Sequence, residues 1–294
     1  MSQPNLNLTV GPILFHWPQQ TLVDFYAGIA DEAPVDHVVV GEVVCSKRLP
    51  FYQDALPAIV ERLQRAGKRV SLTSLALPTL ARERKAADEL FASGLDVELS
   101  DLSAMGLVGE RGFSVGPLIN VYNEATLGFL ARKGARSVCL PPELPLASVK
   151  ALAQAGAELG VNVEVWGYGR APLAISARCY HARVRGLAKD SCQFACGADA
   201  DGLDVRTIDG RDFLAVNGVQ TLSHAYVDLV GDVAALAEAQ VGSLRLSPHS
   251  GDFLATARDF RAAVEGKLAP AEALAKARAR APAATLSHGF LLGD

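Results

Sequence analysis

The chain has 294 residues, half of them apolar and a fifth charged, with a net charge of −4 and five cysteines. Basic and acidic residues are interspersed with no concentrated Lys/Arg run, which argues against nucleic acid as the main partner. A chain of this size buries enough apolar surface to fold without disulfides.

No uninterrupted apolar stretch approaches the roughly 18 residues of a spanning helix. The start, Met1-Ser2-Gln3-Pro4-Asn5-Leu6, lacks a basic and then apolar leader, so the expected location is the cytoplasm. In chain order, a β-like run at 6–14 leads to a helical run at 21–30. A strand at 37–41 precedes a helix at 52–66, in which Ala55, Leu56, Ile59, Val60 and Leu63 form one stripe at helical spacing. A strand at 69–74 and a helix at 79–93 follow. The strand at 96–99 has only a short, weak helical segment, 101–108, behind it. Strands at 113–116 and 137–140 bracket a helix at 123–134, and a helix at 146–160 leads to a strand at 162–166. The alternation then breaks. Within the next stretch, runs at 203–208 and 211–217 around Asp209-Gly210 read as a β-hairpin. The last strand candidate is 243–247. The segment 269–280 reads as a solvated surface helix, and Phe290, Leu291 and Leu292 in the final 286–294 are expected to dock on the body.

Eight strand candidates separated mostly by helices imply a parallel sheet with right-handed crossovers, and eight is the number that closes a barrel. The expected fold is α/β, an irregular (β/α)8, TIM-barrel-like domain over 1–294 with 167–242 as an inserted cysteine-bearing segment. Periodicity does not reveal closure, so a doubly wound open sheet is the alternative. No Gly-x-Gly-x-x-Gly follows the first strand and no Gly-x4-Gly-Lys-Ser/Thr loop occurs, leaving nucleotide binding through those motifs unsupported.

Three cysteines cluster as Cys179-x12-Cys192-x3-Cys196, with Cys45 far upstream. Barrels place their chemistry on loops at the C-terminal strand ends. Cys45 follows the strand ending near Gly41, and the other three follow the strand ending at Trp166, so all four open on one rim. Cys139 lies inside a strand between Val138 and Leu140 and reads as a small buried apolar residue. Clustered thiols in such a chain bind metal or do redox chemistry. Four thiolates suit an iron–sulfur cluster or structural zinc. The dispersed spacing favours a cluster in a preformed pocket over a zinc knuckle. The ferredoxin-type run is absent, and zinc or unligated thiols stay open on spacing alone.

The stretch Trp166-Gly167-Tyr168-Gly169-Arg170-Ala171-Pro172-Leu173-Ala174-Ile175-Ser176-Ala177-Arg178-Cys179-Tyr180 resembles the signature of the collagenase-like peptidase superfamily. Gly41-Glu42, Asn120-Val121-Tyr122-Asn123 and Leu140-Pro141-Pro142-Glu143-Leu144 agree with it. The cysteine pattern is similar to that of the iron–sulfur members that serve oxygen-independent ubiquinone biosynthesis. That resemblance implies a [4Fe-4S] cluster held by Cys45, Cys179, Cys192 and Cys196. It also implies a heterodimer with a UbiU-like partner, a lipid-carrier accessory protein such as UbiT, and a role in hydroxylating a ubiquinone precursor without O2. Peptidase relatives carry a Glu-x-Phe-x-His-Gly-Ala core. Here Val165-Trp166-Gly167-Tyr168-Gly169-Arg170-Ala171 stands instead and the histidine is replaced.

A hydrolase needs a nucleophile, a base and a group that orients the base. The six histidines are scattered, with no Gly-x-Ser-x-Gly or His-Glu-x-x-His motif among them. His181, beside Cys179, reads either as a surface-loop residue or as a hydrogen-bond partner near the thiols. Glu42 and Glu143 sit at strand ends on the functional rim. Arg178, Arg183 and Arg185 offset cluster charge, bind an acidic substrate or partner, or are simply solvated. Trp166 and Tyr168 read as core or as walls of a quinone-precursor cavity. Besides the iron–sulfur reading, a hydrolase of the peptidase superfamily and a noncatalytic zinc-stabilised scaffold remain alternatives, and no catalytic residue is assigned.

Overall fold

In the computed structural model, residues 6–280 and 285–293 are described. Seven strands run parallel and pair in chain order: β1 (Asn7–Val10), β2 (His37–Val40), β3 (Arg69–Thr73), β4 (Asp96–Leu99), β5 (Phe113–Val115), β6 (Ala135–Cys139) and β7 (Asn162–Ile175). Next come β8 (Leu203–Arg206), β9 (Asp212–Asn217) and β10 (Gln220–Asp228), an antiparallel set joined to the outer half of β7. β11 (Ser243–Leu246) returns to the parallel set and pairs with both β1 and β7, which closes an eight-stranded barrel. The open-sheet alternative is thereby excluded.

Helices α1 (Gln19–Glu32), α2 (Leu56–Arg65), α3 (Ala81–Ala92), α4 (Glu124–Arg132) and α5 (Leu146–Leu159) fall in the expected connections. After them come α6 (Tyr180–Val184), α7 (Val233–Glu238), α8 (Phe253–Val264) and α9 (Pro270–Arg280). The 101–108 segment is a 3-10 turn, Leu102–Leu107, opened by Asp101, whose carboxylate accepts the Ser103 N–H at 2.8 Å. Helix α8 was not expected. It follows Ser-Pro-His-Ser-Gly, a run of turn residues, yet Asp252 caps it and Phe253, Thr256, Ala257 and Phe260 bury one face. α9 is less solvated than its composition implies, since Ala273 and Ala277 are buried. The C-terminal end docks only in part: β12 (Leu286–Ser287) pairs with β10 and Leu291 is buried with its carbonyl accepting from the Leu146 N–H, whereas Phe290 and Leu292 are exposed at 49% and 53%.

Successive strand residues alternate between the barrel interior and the helical layer. Leu8, Val10, Val38, Val40, Leu244 and Leu246 belong to one apolar core. The interior, by contrast, is charged. Arg245 crosses it, donating from Nε to Glu164 at 2.5 Å and from its two terminal nitrogens to Glu98 at 3.2 and 2.5 Å. All three are buried. Gly11 and Gly116 make room, because a Cβ at Gly11 would lie 3.1 Å from the Arg245 chain and one at Gly116 would lie 3.2 Å from Glu98 Oε1. Among the described residues no helix is long and apolar enough to cross a membrane.

Candidate functional site

β7 does not end at Trp166. A bulge against β11 at Arg245/Leu246 lets it rise above the barrel to Ile175, where β10 pairs with it in antiparallel fashion. The backbone turn at Gly169 has φ +111°, and a Cβ there would lie 2.6 Å from that of Ser247. This extension carries Cys179 out over the rim. Cys179 then caps α6, its sulfur accepting the Ala182 N–H at 3.4 Å.

Cys192 and Cys196 sit on two 3-10 turns. Between them Gln193 and Phe194 both take left-handed backbone angles, φ +48° and +52°. Two consecutive non-glycine residues in that region cost on the order of 1–2 kcal/mol each, and the reversal they produce turns both thiols inward. Contacts to the barrel loops hold the segment in place. Phe194 stacks edge-on against Phe51 at 4.6 Å, Trp17 donates to the Ala200 carbonyl at 2.7 Å, and Lys47 donates to the Lys189 carbonyl at 2.7 Å.

Cys45 arrives from the loop after β2. Glu42 shapes that loop: its Oε1 accepts the Val44 and Cys45 N–H groups at 2.8 and 2.9 Å, and its Oε2 accepts the Tyr52 hydroxyl at 3.0 Å. The result is one small cavity lined by Cys45, Cys179, Cys192 and Cys196, with Lys47, Arg48 and Lys189 in its wall. Cys139 is buried in β6 beside Glu164 and takes no part. All five cysteines are free thiols. Among the described residues, no group of three or more His, Cys, Asp or Glu side chains is drawn together tightly enough to hold a metal ion. The four thiols line this one cavity.

Arg48 was not foreseen, although it stands three residues after Cys45. It is 1% exposed, donates to the Leu14 carbonyl and to Asn217 Oδ1, both at 2.8 Å, and lines the thiol cavity beside Cys196. Burial works against its charge, but Glu42, Cys196 and Cys45 outweigh burial and raise its pKa. Burial also pushes the Cys45 and Cys196 thiols up, with Arg48 opposing in both cases. A buried cation beside thiols favours their thiolate form and so opposes the effect of burial.

Other candidates resolve differently. His181 is buried, not a surface-loop residue, and pairs with Asp199 at 2.8 Å, which also takes Arg185 at 2.9 Å. Glu143 accepts the Tyr122 hydroxyl away from the thiols. Trp166 borders a small cavity at the barrel mouth that Glu98 and Arg245 also line. Tyr168 packs among Tyr226, His249 and Phe260 outside the barrel, its hydroxyl 3.1 Å from His249 Nε2. A far larger cleft, about 1250 Å³, lies between α2 and α3. Its floor is apolar, with Leu56, Val60, Leu72 and Leu90, and it reaches Glu42 and Ser46 on either side of the Cys45 loop.

The model of Peptidase family U32 matches residues 25–294. Among solved structures, N-acetylneuraminate lyase from Fusobacterium nucleatum complexed with pyruvate is similar at a TM-score of 0.50 and 8% identity, over 93% of this chain and 79% of that one. At that identity the likeness shows the barrel fold and nothing of its chemistry. A phospho-2-dehydro-3-deoxyheptonate aldolase from Thermotoga maritima matches at TM-score 0.44 and 8% identity, over 96% and 72% of the two chains. A 3-hexulose-6-phosphate synthase matches at TM-score 0.44 and 17% identity, over 88% and 99%.

Proposed function

The chain belongs to peptidase family U32 across residues 25–294, and from that premise we propose that it is a UbiV-like iron–sulfur protein in which Cys45, Cys179, Cys192 and Cys196 hold a [4Fe-4S] cluster. The observation that carries this reading is the meeting of Cys45 with three cysteines more than a hundred residues downstream in one cavity that the buried Arg48 and the partly exposed Lys47 and Lys189 also line. Around a single zinc, bonds of about 2.3 Å at tetrahedral angles would bring the sulfurs to about 3.8 Å from one another. Ligands drawn from two separate loops suit a cluster, in which each thiolate takes a different iron, better than a self-contained zinc knuckle.

When bound, such a cluster supplies one-electron exchange. The chain's own part is to set its surroundings. Glu42 orders the Cys45 loop, Arg48 offsets part of the thiolate charge, and Phe194, braced by Phe51, lines one side of the cavity. The apolar cleft beside the Cys45 loop supports a role on a ubiquinone precursor, in O2-independent hydroxylation with a UbiU-like partner and a lipid carrier such as UbiT.

Anaerobic purification with absorption spectroscopy and iron and sulfide analysis tests the proposal. The protein is expected to be coloured, Cys192→Ala to lose most of its iron, and Cys139→Ala to keep it. A colourless protein with one tightly held zinc would overturn the cluster, and equal iron loss in both variants would overturn the ligand set. Peptide cleavage that survives loss of all four cysteines would put a hydrolase in its place.

A further inference from the structure

We propose that the cationic rim around the thiol cavity is a docking face for a small acidic electron-carrier protein; the electron-carrier part rests on the iron–sulfur reading above. Residues 176–196 carry Arg178, Arg183, Arg185 and Lys189 against a single carboxylate, Asp190, in a chain whose net charge is −4. The fold adds Lys47 to this group. Its ammonium donates to the Lys189 carbonyl at 2.7 Å, and Lys189 in turn donates to the Ala177 carbonyl at 3.1 Å, next to Arg178. Lys47, Lys189 and Arg178 thus form a continuous arc on one side of the cavity. Arg183 and Arg185 extend the positive surface from α6 and its C-terminal end.

Two of these charges are partly spent inside the molecule: Arg185 on Asp199 at 2.9 Å and Lys47 on Asp190 at 3.4 Å. Arg178 and Arg183 are exposed and carry no ion pair among the described residues. Amid them α6 presents apolar side chains to solvent, Tyr180 at 43% and Val184 at 65% exposure. An apolar centre with a charged rim has the anatomy of a transient protein interface, and the rim steers a partner of opposite charge.

Cys179 and Cys192 are only half-buried, so a molecule docked on this face lies directly over the cavity. The positive field is local. A long polyanion would also meet the acidic remainder of the chain, whereas a compact acidic protein engages the rim alone.

The test titrates the full chain with an acidic flavodoxin and follows the flavin signal. Raising salt from about 20 to about 200 mM is expected to weaken binding about tenfold. The double reversal Arg178→Glu/Arg183→Glu turns two attractions into repulsions and weakens binding at low salt about tenfold or more. Lys150→Glu on α5 leaves it unchanged. Circular dichroism and iron content of the double variant should match the parent, since both positions are exposed. Absence of binding, salt-independent binding, an unaffected double variant, or tighter binding of a single-stranded oligonucleotide would each overturn the proposal. The affinity is read with or without iron, so a protein that lacks the cluster would refute the function proposed above while leaving the docking measurement to stand or fall by itself.

Discussion

Replacing Arg245 with Met removes the cation that Glu98 and Glu164 share across the barrel interior. Arg245, Glu98 and Glu164 are 2%, 1% and 2% exposed, so water does not reach the carboxylates once the guanidinium is gone. Breaking a buried pair by deleting one partner costs about 3–5 kcal/mol, because the remaining charge is uncompensated. Here two carboxylates are left by one deletion, and the upper half of that range applies. Against a typical total of about 5–15 kcal/mol, the variant keeps little reserve. In urea unfolding followed by far-UV circular dichroism, the midpoint should fall by at least about 1 M, taking a slope of roughly 3 kcal/mol/M for a chain of this length. The triple variant Arg245→Met/Glu98→Gln/Glu164→Gln removes all three charges together, and replacing a buried ion network by neutral groups is often close to harmless. It should recover at least half of the lost midpoint. A single variant within about 0.3 M of the parent, or a triple variant no better than the single one, would refute the idea that this triad is held by mutual compensation.

Two further outcomes follow from the same reasoning. Burial, partly opposed by the Val230 N–H, pushes Asp228 up to about 6. Because that folded value lies above the unfolded one, its contribution is complete below the unfolded pKa and lost as pH rises through about 6. Relative to Asp228→Asn, the parent should therefore gain about 1 kcal/mol between pH 7 and pH 5, and parallel midpoint–pH curves would rule this out. Glu42→Ala strips acceptors from the Val44 and Cys45 N–H groups and the Tyr52 hydroxyl, at about 1–3 kcal/mol for each donor left buried and unpaired. The Cys45 loop should then open, and iodoacetamide should label Cys45 in iron-free protein several-fold faster than in the parent. An unchanged labelling rate would show that Glu42 does not hold the loop.

The parallel barrel strands were legible because each is a short apolar run flanked by turn residues, and the helices between them carry one-sided stripes such as Leu56, Ile59, Val60 and Leu63. α8 and β10 escaped notice. Their pattern is interrupted by polar residues, such as Arg258 and His224, whose partners lie elsewhere in the chain. The interior triad was equally hidden. Nothing local marks Glu98 and Glu164 as buried, because only closure makes the inward face of each strand a buried one, and no local pattern announces that Arg245 will meet both.

By itself, the order of residues determined that the chain alternates strand and helix, that Cys139 belongs to a strand interior, and that three thiols would lie near one another. Those are short-range facts, set by periodicity and spacing. The tertiary structure alone decided that β11 closes on β1, that β7 overshoots the rim to carry Cys179 above it, and that Arg48 lies beneath the thiols. Each of these depends on contacts between residues far apart in sequence, Arg48 with Asn217 and Phe51 with Phe194 among them. Long-range contacts form only when the whole barrel closes, and their geometry is therefore a property of the closed barrel and not of any segment in it.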